Sequence, residues 1–160
     1  LVTGPDPVVV HLHHTMTGSY PLRLVDVLFF ADRLHAVEYG VLTGVDLLTG
    51  APERRARAFA RTLHEGGLDA ALAAADRERR VPYADLDAVR LYDGGPLGRE
   101  KVVVVPREGK PLHLRVHADV DGTSFVEAVR STLAPYDATV EHRAGGGLEL
   151  RRRLGRLDPR

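Results

Sequence analysis

The sequence predicts an α+β domain in which antiparallel strands form a bent barrel or sandwich, with an inserted helical hairpin and a C-terminal capping helix. Two observations carry this prediction. Apolar and polar residues alternate over several short segments bounded by glycine and proline, as expected of half-buried strands. The apolar period then changes to that of an amphipathic helix twice, after Pro52 and again after Asp121.

The composition is that of an ordinary globular protein. The chain has 160 residues, 44% hydrophobic and 28% charged, which suits one domain with a core of its own. Its 22 basic and 22 acidic residues cancel, so no net field attracts an anionic partner and we expect no nucleic acid. Cysteine is absent, which excludes disulfides and thiolate chemistry. No run of about 18 apolar residues indicates a membrane span, and a cytoplasmic location is expected.

The first part of the chain predicts three strands. Val8 to Met16 is rich in β-forming residues and is the first of them. Leu22 to Phe30 carries apolar residues on both faces, so this strand should be covered on both sides. Asp32 suits a tight turn into Leu34 to Tyr39, which completes a hairpin.

A helical hairpin is predicted over residues 52–80. Pro52 is well placed in a first helical turn, and Gly66-Gly67 divides the segment into two helices. Before the glycines, apolar residues recur at helical spacing at Ala56, Phe59, Ala60 and Leu63. After them the spacing repeats up to about Arg79.

Strands return at Val81 and are closed by a helix. The apolar phase slips near Ala84-Asp85, which predicts a bulge or sharp bend there. Turn residues then separate strands at Val102 to Val105 and Pro111 to Ala118. A final helix should open at a capping box between Ser124 and Glu127. It should bury one face against the strands, at Phe125, Ala128, Val129, Thr132 and Leu133.

A basic tail follows the predicted domain of residues 1–144. Gly145-Gly146-Gly147 is a flexible hinge, so residues 145–160 should be removable without unfolding the domain. Arg151, Arg152 and Arg153 could contact an anionic membrane surface, and a solvated end without a role is the alternative.

The middle of the chain resembles bacterial pleckstrin-homology-like domains. The likeness rests on Val81-Pro82-Tyr83-Ala84-Asp85-Leu86-Asp87-Ala88-Val89, a turn at Gly95 to Gly98, the segment Phe29-Phe30-Ala31-Asp32-Arg33-Leu34, and the closing helix. It spans about Leu22 to Pro135. The resemblance implies a bent barrel plugged by its C-terminal helix. It also implies a non-enzymatic binding module in which protein contacts or self-association into a homo-oligomer come ahead of specific lipid binding.

Two features depart from that family and leave an alternative open. The helical hairpin is not part of the minimal domain, and six strands are visible where seven are usual. The segment from Val41 to Leu48 is the expected seventh strand. The alternative is a helix-grip fold that carries or converts a small hydrophobic ligand, which would need an interior cavity of about 300 Å³ or more. Such a fold normally has one strand before its helix pair, whereas three are predicted here.

Candidate functional residues are few. His11 and His13 lie on one strand face, about 7 Å apart, and could share a metal ion if a neighbouring strand supplied a third ligand. We adopt the simpler interpretation that both are solvent-side residues and predict no metal and no cofactor. Four arginines of the first inserted helix are candidates for phosphate or lipid headgroups, although solvation of a helix surface explains them equally well: Arg54, Arg55, Arg57 and Arg61. The sequence contains no phosphate loop, nucleophile elbow or zincin motif, so none of these motifs indicates an enzyme.

Overall fold

The computed structural model describes residues 6–96 and 98–144 and confirms the α+β class. Within those ranges it contains eight strands and three helices. The strands are β1 (Val10–Thr17), β2 (Leu22–Phe29), β3 (Arg33–Leu42), β4 (Arg77–Pro82), β5 (Leu86–Tyr92), β6 (Lys101–Pro106), β7 (Leu112–Val116) and β8 (Thr139–Arg143). The helices are α1 (Gly44–Leu48), α2 (Ala51–Ala73) and α3 (Gly122–Leu133).

The strands form one mixed sheet in the order β4-β3-β2-β1-β7-β6-β5-β8. Every neighbouring pair is antiparallel except β5 and β8, which run parallel. The expectation that all the strands pair antiparallel is therefore corrected. The chain reaches β8 through α3, and a connection that contains a helix can return a strand in the parallel direction. The order ends at β4 and β8, so the sheet is not closed into a barrel.

The main core lies between α3 and the concave face of the sheet. One buried cluster joins residues of both halves of the sheet to the helix, including Val27, Phe29, Val89, Val104 and Leu114. Contacts from such distant strands to a single helix require the sheet to fold over it. The predicted buried face of α3 is confirmed at Phe125, Val129 and Leu133, which are at most 6% exposed. Ala128 was predicted on the same face but is exposed, and Val126 is buried there instead.

Helix α2 covers the opposite face of β2 and β3. A second buried cluster there contains Leu28, Phe30 and Val37 from the sheet region with Phe59 and Ala71 from the helix. The two faces of β2 thus pack against different helices, which confirms the prediction drawn from its two apolar faces.

The inserted helical segment is shorter than predicted. Gly67 has a φ of +75° and kinks α2 where the sequence placed the break between two helices. The helix ends at Ala73, however, and Arg77–Pro82 is strand β4, so the predicted extent to residue 80 is wrong. Strand β4 is an edge strand whose residues are mostly exposed, so it lacks the apolar alternation that would have identified it.

Two further boundaries differ from the expectation. The segment from Val41 to Leu48 is not a seventh strand, because Thr43 and Asp46 form a capping box that starts α1 at Gly44. Helix α3 begins at Gly122 with Asp121 as its N-cap, and the Asp121 side chain accepts a hydrogen bond from the Ser124 amide. Reciprocal bonds between Thr43 and Asp46 therefore cap α1, whereas a single bond to Asp121 caps α3, so the expected capping box between Ser124 and Glu127 is wrong.

The bend predicted near Ala84-Asp85 is confirmed. A 3₁₀ turn at Tyr83–Asp85 separates β4 from β5, and the buried Tyr83 hydroxyl donates to the Phe30 carbonyl at 2.5 Å. The predicted glycine hinge and basic tail lie outside the described residues. None of the described helices has the length and apolar character needed to span a bilayer.

Candidate functional site

A buried carboxylate on the outer face of β2 organises a cluster of polar side chains. The histidine cluster, as we call it, consists of His11, His13, His14, Asp26, Tyr39 and His117. Asp26 is fully buried and ties together residues of β1 and β3. Its Oδ2 atom lies 2.6 Å from His11 Nε2 and 2.7 Å from His13 Nδ1, while Oδ1 accepts from the His14 amide at 2.9 Å and the Tyr39 hydroxyl at 2.7 Å. Four donors therefore satisfy one carboxylate.

A β-bulge in β1 makes this arrangement possible. The register with β2 shifts between Leu12 and Thr15, so that His13 and His14 share the place opposite Asp26. His14 adopts a φ of +55°, a left-handed conformation that is uncommon for a non-glycine residue. The bulge directs both the His13 ring and the His14 amide to the same carboxylate, which an unbroken strand would not do.

Helix α2 holds the fourth donor in place. The Tyr39 ring stacks on Phe59 with a centroid distance of 4.1 Å and an interplanar angle of 6°. Burial, together with the neighbouring charge of Asp26, raises the pKa of the Tyr39 phenol above its ordinary value. Tyr39 therefore stays protonated and donates to Asp26 throughout the usual pH range.

The carboxylate at the centre of the cluster is ionised. Burial alone would raise the pKa of Asp26, but the hydrogen bonds from His11 and His13 outweigh it and hold the pKa at about 2. The hydrogen bond to Asp26 in turn raises the pKa of His13 above 6.5, although burial acts in the opposite direction. The site thus pairs the Asp26 carboxylate with the His13 imidazole, whose cationic form that carboxylate favours.

A second pair of imidazoles lies beside the first. His14 and His117 stack with a centroid distance of 5.6 Å, and the His117 amide donates to the His14 carbonyl at 3.0 Å. Burial, then the charge of Arg99, lowers the pKa of His117 to about 4. Burial, then the charge of His13, also lowers the pKa of His14, whose buried Nε2 has no partner among the described residues. Burial therefore favours the neutral form of both rings.

We expect acid to destabilise the fold through His117. Its folded pKa of about 4 is below the unfolded value of 6.5, so the unfolded chain binds the proton more tightly. The stability that neutral His117 contributes is complete above pH 6.5 and is lost as the pH falls towards 4. Urea unfolding at a series of pH values should therefore show a shallower acid loss for His117→Gln than for the wild type.

The exposed His113 provides the matched control for this measurement, because it lies on β7 outside the cluster. His113→Gln should retain the wild-type slope. Equal slopes for His117→Gln and the wild type would contradict the prediction. An imidazole titration of His117 followed by NMR should show its midpoint near 4.

The four candidate arginines of α2 do not converge on one site. Arg55 is half-buried and joins α2 to β3 and α1, because its guanidinium donates to the Val41 carbonyl at 2.8 Å and to Asp46 Oδ1 at 3.2 Å. Arg54 donates to the Thr49 carbonyl at 2.7 Å, just before its own helix. Arg57 and Arg61 are exposed on the surface of α2. The candidates Arg151, Arg152 and Arg153 lie outside the described residues.

A second surface feature is a group of exposed apolar residues at one end of the sheet. We define the apolar tip as Val41, Val45, Leu47 and Leu48, at the end of β3 and in α1. Val45 is 69% exposed and Leu48 is 88% exposed, and α1 buries none of its residues. Asp46, by contrast, is turned towards Thr43 and Arg55. The short helix therefore presents its apolar side chains to solvent and its polar one to the protein.

Sequence reasoning identified only part of the histidine cluster. It placed His11 and His13 on one strand face and required a third ligand from a neighbouring strand, and the structure has Asp26 of β2 in that position. The expectation that both histidines are solvent-side residues is corrected, because both rings hydrogen-bond to the buried Asp26 carboxylate. The available signal was an aspartate in the middle of the apolar run from Leu24 to Leu28, since a buried charge needs partners. Tyr39 and the bulge at His14 left no comparable signal.

Comparisons with known proteins bear on the fold alone. No protein-family model matches the chain, and a search of curated proteins gave no match. Among solved structures, the chain is similar to the hSac2 domain from human phosphoinositide phosphatase Sac2, with a TM-score of 0.51 and 9% sequence identity. The similarity covers 88% of this chain and 79% of that chain. At this identity the two share an overall arrangement of strands and helices.

Proposed function

We propose that this protein is a non-enzymatic interaction module of the pleckstrin-homology-like type that self-associates through the apolar tip. The observation that carries the proposal is the orientation of α1, whose apolar residues face solvent while its polar residue faces the protein. Exposed apolar groups that lie together are typical of surfaces that bind other proteins.

The filled interior supports a module of this type over the helix-grip alternative. Phe125, Val126, Val129 and Leu133 of α3 occupy the space between the two halves of the sheet. A ligand carrier would need an interior cavity of about 300 Å³ or more in that space. A depression of about 580 Å³ lies instead on the outer surface, beside the connection between β5 and β6.

Charge and edge strands favour a second copy as the partner. Because the 22 basic and 22 acidic residues cancel, two copies approach without net repulsion. The outer strand β4 carries charged residues along most of its length, at Arg77, Glu78, Arg79 and Arg80, a common protection against pairing between sheet edges. The apolar tip is therefore the better surface for self-association.

The test is the oligomeric state of a tip variant. A buried valine or leucine contributes about 1.5–3 kcal/mol, so Val45→Glu with Leu48→Glu should weaken self-association by about tenfold or more. Sedimentation velocity over a range of concentrations should show a reversible dimer for the wild type and a monomer for the double variant. Both side chains are exposed, so the substitutions should change folding stability by no more than about 0.5 kcal/mol.

Val9→Glu is the matched control, because Val9 is 53% exposed and far from the apolar tip. Its amide donates to the carbonyl of Phe29, the last residue of β2, whereas the tip lies beside the first residues of that strand. This variant should dimerise as the wild type does. A wild type that stays monomeric at about 100 μM would overturn the proposal. So would a tip variant that still dimerises. If the wild type binds vesicles that contain an anionic lipid and the tip variant does not, the apolar tip is a membrane contact and the proposal of self-association is overturned.

A further inference from the structure

Three side chains of the histidine cluster bring together nitrogen and oxygen atoms of the kind that bind transition metals. His11 Nε2, His13 Nδ1 and a carboxylate oxygen of Asp26 all lie within 4.8 Å of one another. Two imidazoles with one carboxylate form a donor set suited to Zn²⁺ and related divalent ions. The three residues come from two adjacent strands, which hold their backbones in register.

The carboxylate is held by groups that would stay in place when a metal binds. The His14 amide and the Tyr39 hydroxyl both donate to Oδ1 of Asp26, whereas His11 and His13 contact Oδ2. Hydrogen bonds to the distal oxygen orient a metal-binding carboxylate and leave the other oxygen for the ion. Tyr39 is itself fixed by its stacking on Phe59.

The two imidazoles have room to adjust. Their nitrogens lie 2.6 and 2.7 Å from Oδ2, and protons now bridge these short contacts. Tetrahedral Zn²⁺ with bonds of about 2.0–2.2 Å separates its ligand atoms by about 3.4 Å, so each ring must move outwards by about 0.7 Å. The His11 and His13 side chains are 28% and 30% exposed, so part of each ring borders solvent and not the core.

We propose that His11 Nε2, His13 Nδ1 and Asp26 Oδ2 bind one divalent transition-metal ion of the Zn²⁺ class on the outer face of β1 and β2. On binding, each imidazole donates the lone pair of its coordinating nitrogen to the ion and carries one proton on its other ring nitrogen, and a ring that was cationic beforehand releases its second proton to solvent. Because both imidazoles reach the surface, the remaining coordination position is open to water or to a ligand from another molecule.

Zinc titration of the full, untagged chain tests the site. Isothermal titration calorimetry after treatment with a chelator should give one Zn²⁺ per chain with a dissociation constant of about 10 μM or tighter. His11→Gln and His13→Gln should each weaken binding by at least about tenfold. Co²⁺ should give the visible absorption bands of a tetrahedral site in the wild type, and these bands should disappear in both variants.

His113→Gln is the matched control, because it removes an exposed histidine of β7 outside the three ligands. It should bind Zn²⁺ as the wild type does. Far-UV circular dichroism will show whether each variant is folded, and Asp26→Asn provides a second variant that keeps the side-chain shape while removing the charge. Equal affinity in His13→Gln and His113→Gln would overturn the proposal, as would a wild type that binds no Zn²⁺ at about 100 μM.

The metal site and the proposed self-association are independent. The double substitution at Val45 and Leu48 should leave the zinc affinity unchanged, because neither residue contacts the cluster. Loss of zinc binding in that variant would contradict the assignment of the site to β1 and β2.

Discussion

Replacing Asp26 by alanine is expected to lower the free energy of unfolding by about 3–5 kcal/mol, because it removes the acceptor of a buried charged network. The His14 amide and the Tyr39 hydroxyl would lose their partner inside the protein. A buried donor without a partner costs about 1–3 kcal/mol, and the imidazoles of His11 and His13 would lose their counter-charge as well. Urea unfolding followed by circular dichroism in the presence of a chelator measures the loss without any contribution from metal.

Asp87 offers the comparison for this experiment. It is an aspartate in a strand, like Asp26, but it is exposed on β5, so Asp87→Ala should change stability by no more than about 0.5 kcal/mol. A loss below about 1 kcal/mol for Asp26→Ala would mean that water replaces the carboxylate and that the network contributes little.

The same carboxylate makes a second contribution to the acid sensitivity of the fold. Its folded pKa of about 2 lies below the ordinary value of 3.8, so its stabilisation is present above pH 3.8 and is lost as the pH falls through about 2. This range is separate from that of His117, which lies between pH 6.5 and about 4.

Replacing Phe125 by alanine should also cost about 3–5 kcal/mol of unfolding free energy. Phe125 lies on the buried face of α3 and packs edge to face against Phe29 of β2, with a centroid distance of 6.2 Å and an interplanar angle of 74°. The substitution would open a cavity where α3 meets the concave side of the sheet. Denaturant unfolding of the purified variant measures the effect.

Glu127 lies on the exposed side of the same helix and supplies the control. Glu127→Ala keeps the helical backbone and removes no buried contact, so its effect should stay within about 0.5 kcal/mol. Similar losses for Phe125→Ala and Glu127→Ala would show that Phe125 is not packed between α3 and the sheet.

The pattern of apolar residues predicted those elements that bury at least one face. The buried face of α3 that carries Val129 follows from the helical spacing of its apolar residues. The two covered faces of β2 follow from its nearly continuous apolar run. The bend at Ala84-Asp85 could be predicted because the alternation of apolar and polar residues is interrupted there. In each case the signal lies within about ten consecutive residues.

Elements without a buried face of their own could not be predicted from the pattern of apolar residues. Strand β4 is mostly exposed at the edge of the sheet, and its pairing with β3 joins residues such as His35 and Arg80 that are far apart in sequence. The strand expected over α1 rests only on the strand count of the family that the chain resembles, and the reciprocal bonds between Thr43 and Asp46 start a helix there instead. The parallel pairing of β8 with β5 likewise depends on how the preceding helix α3 packs, because α3 determines where the chain returns to the sheet.

For the histidine cluster, the sequence by itself determined that His11 and His13 share a strand face and that a neighbouring strand would have to complete any site. The tertiary structure decided the rest. The register of β1 on β2 selects Asp26, and the bulge turns His13 and the His14 amide towards it. Tyr39 of β3 donates the fourth hydrogen bond to Asp26, and its ring stacks on Phe59 of α2. Side-chain period follows from local backbone geometry, whereas register and bulges follow from contacts between segments, which no single stretch of sequence specifies.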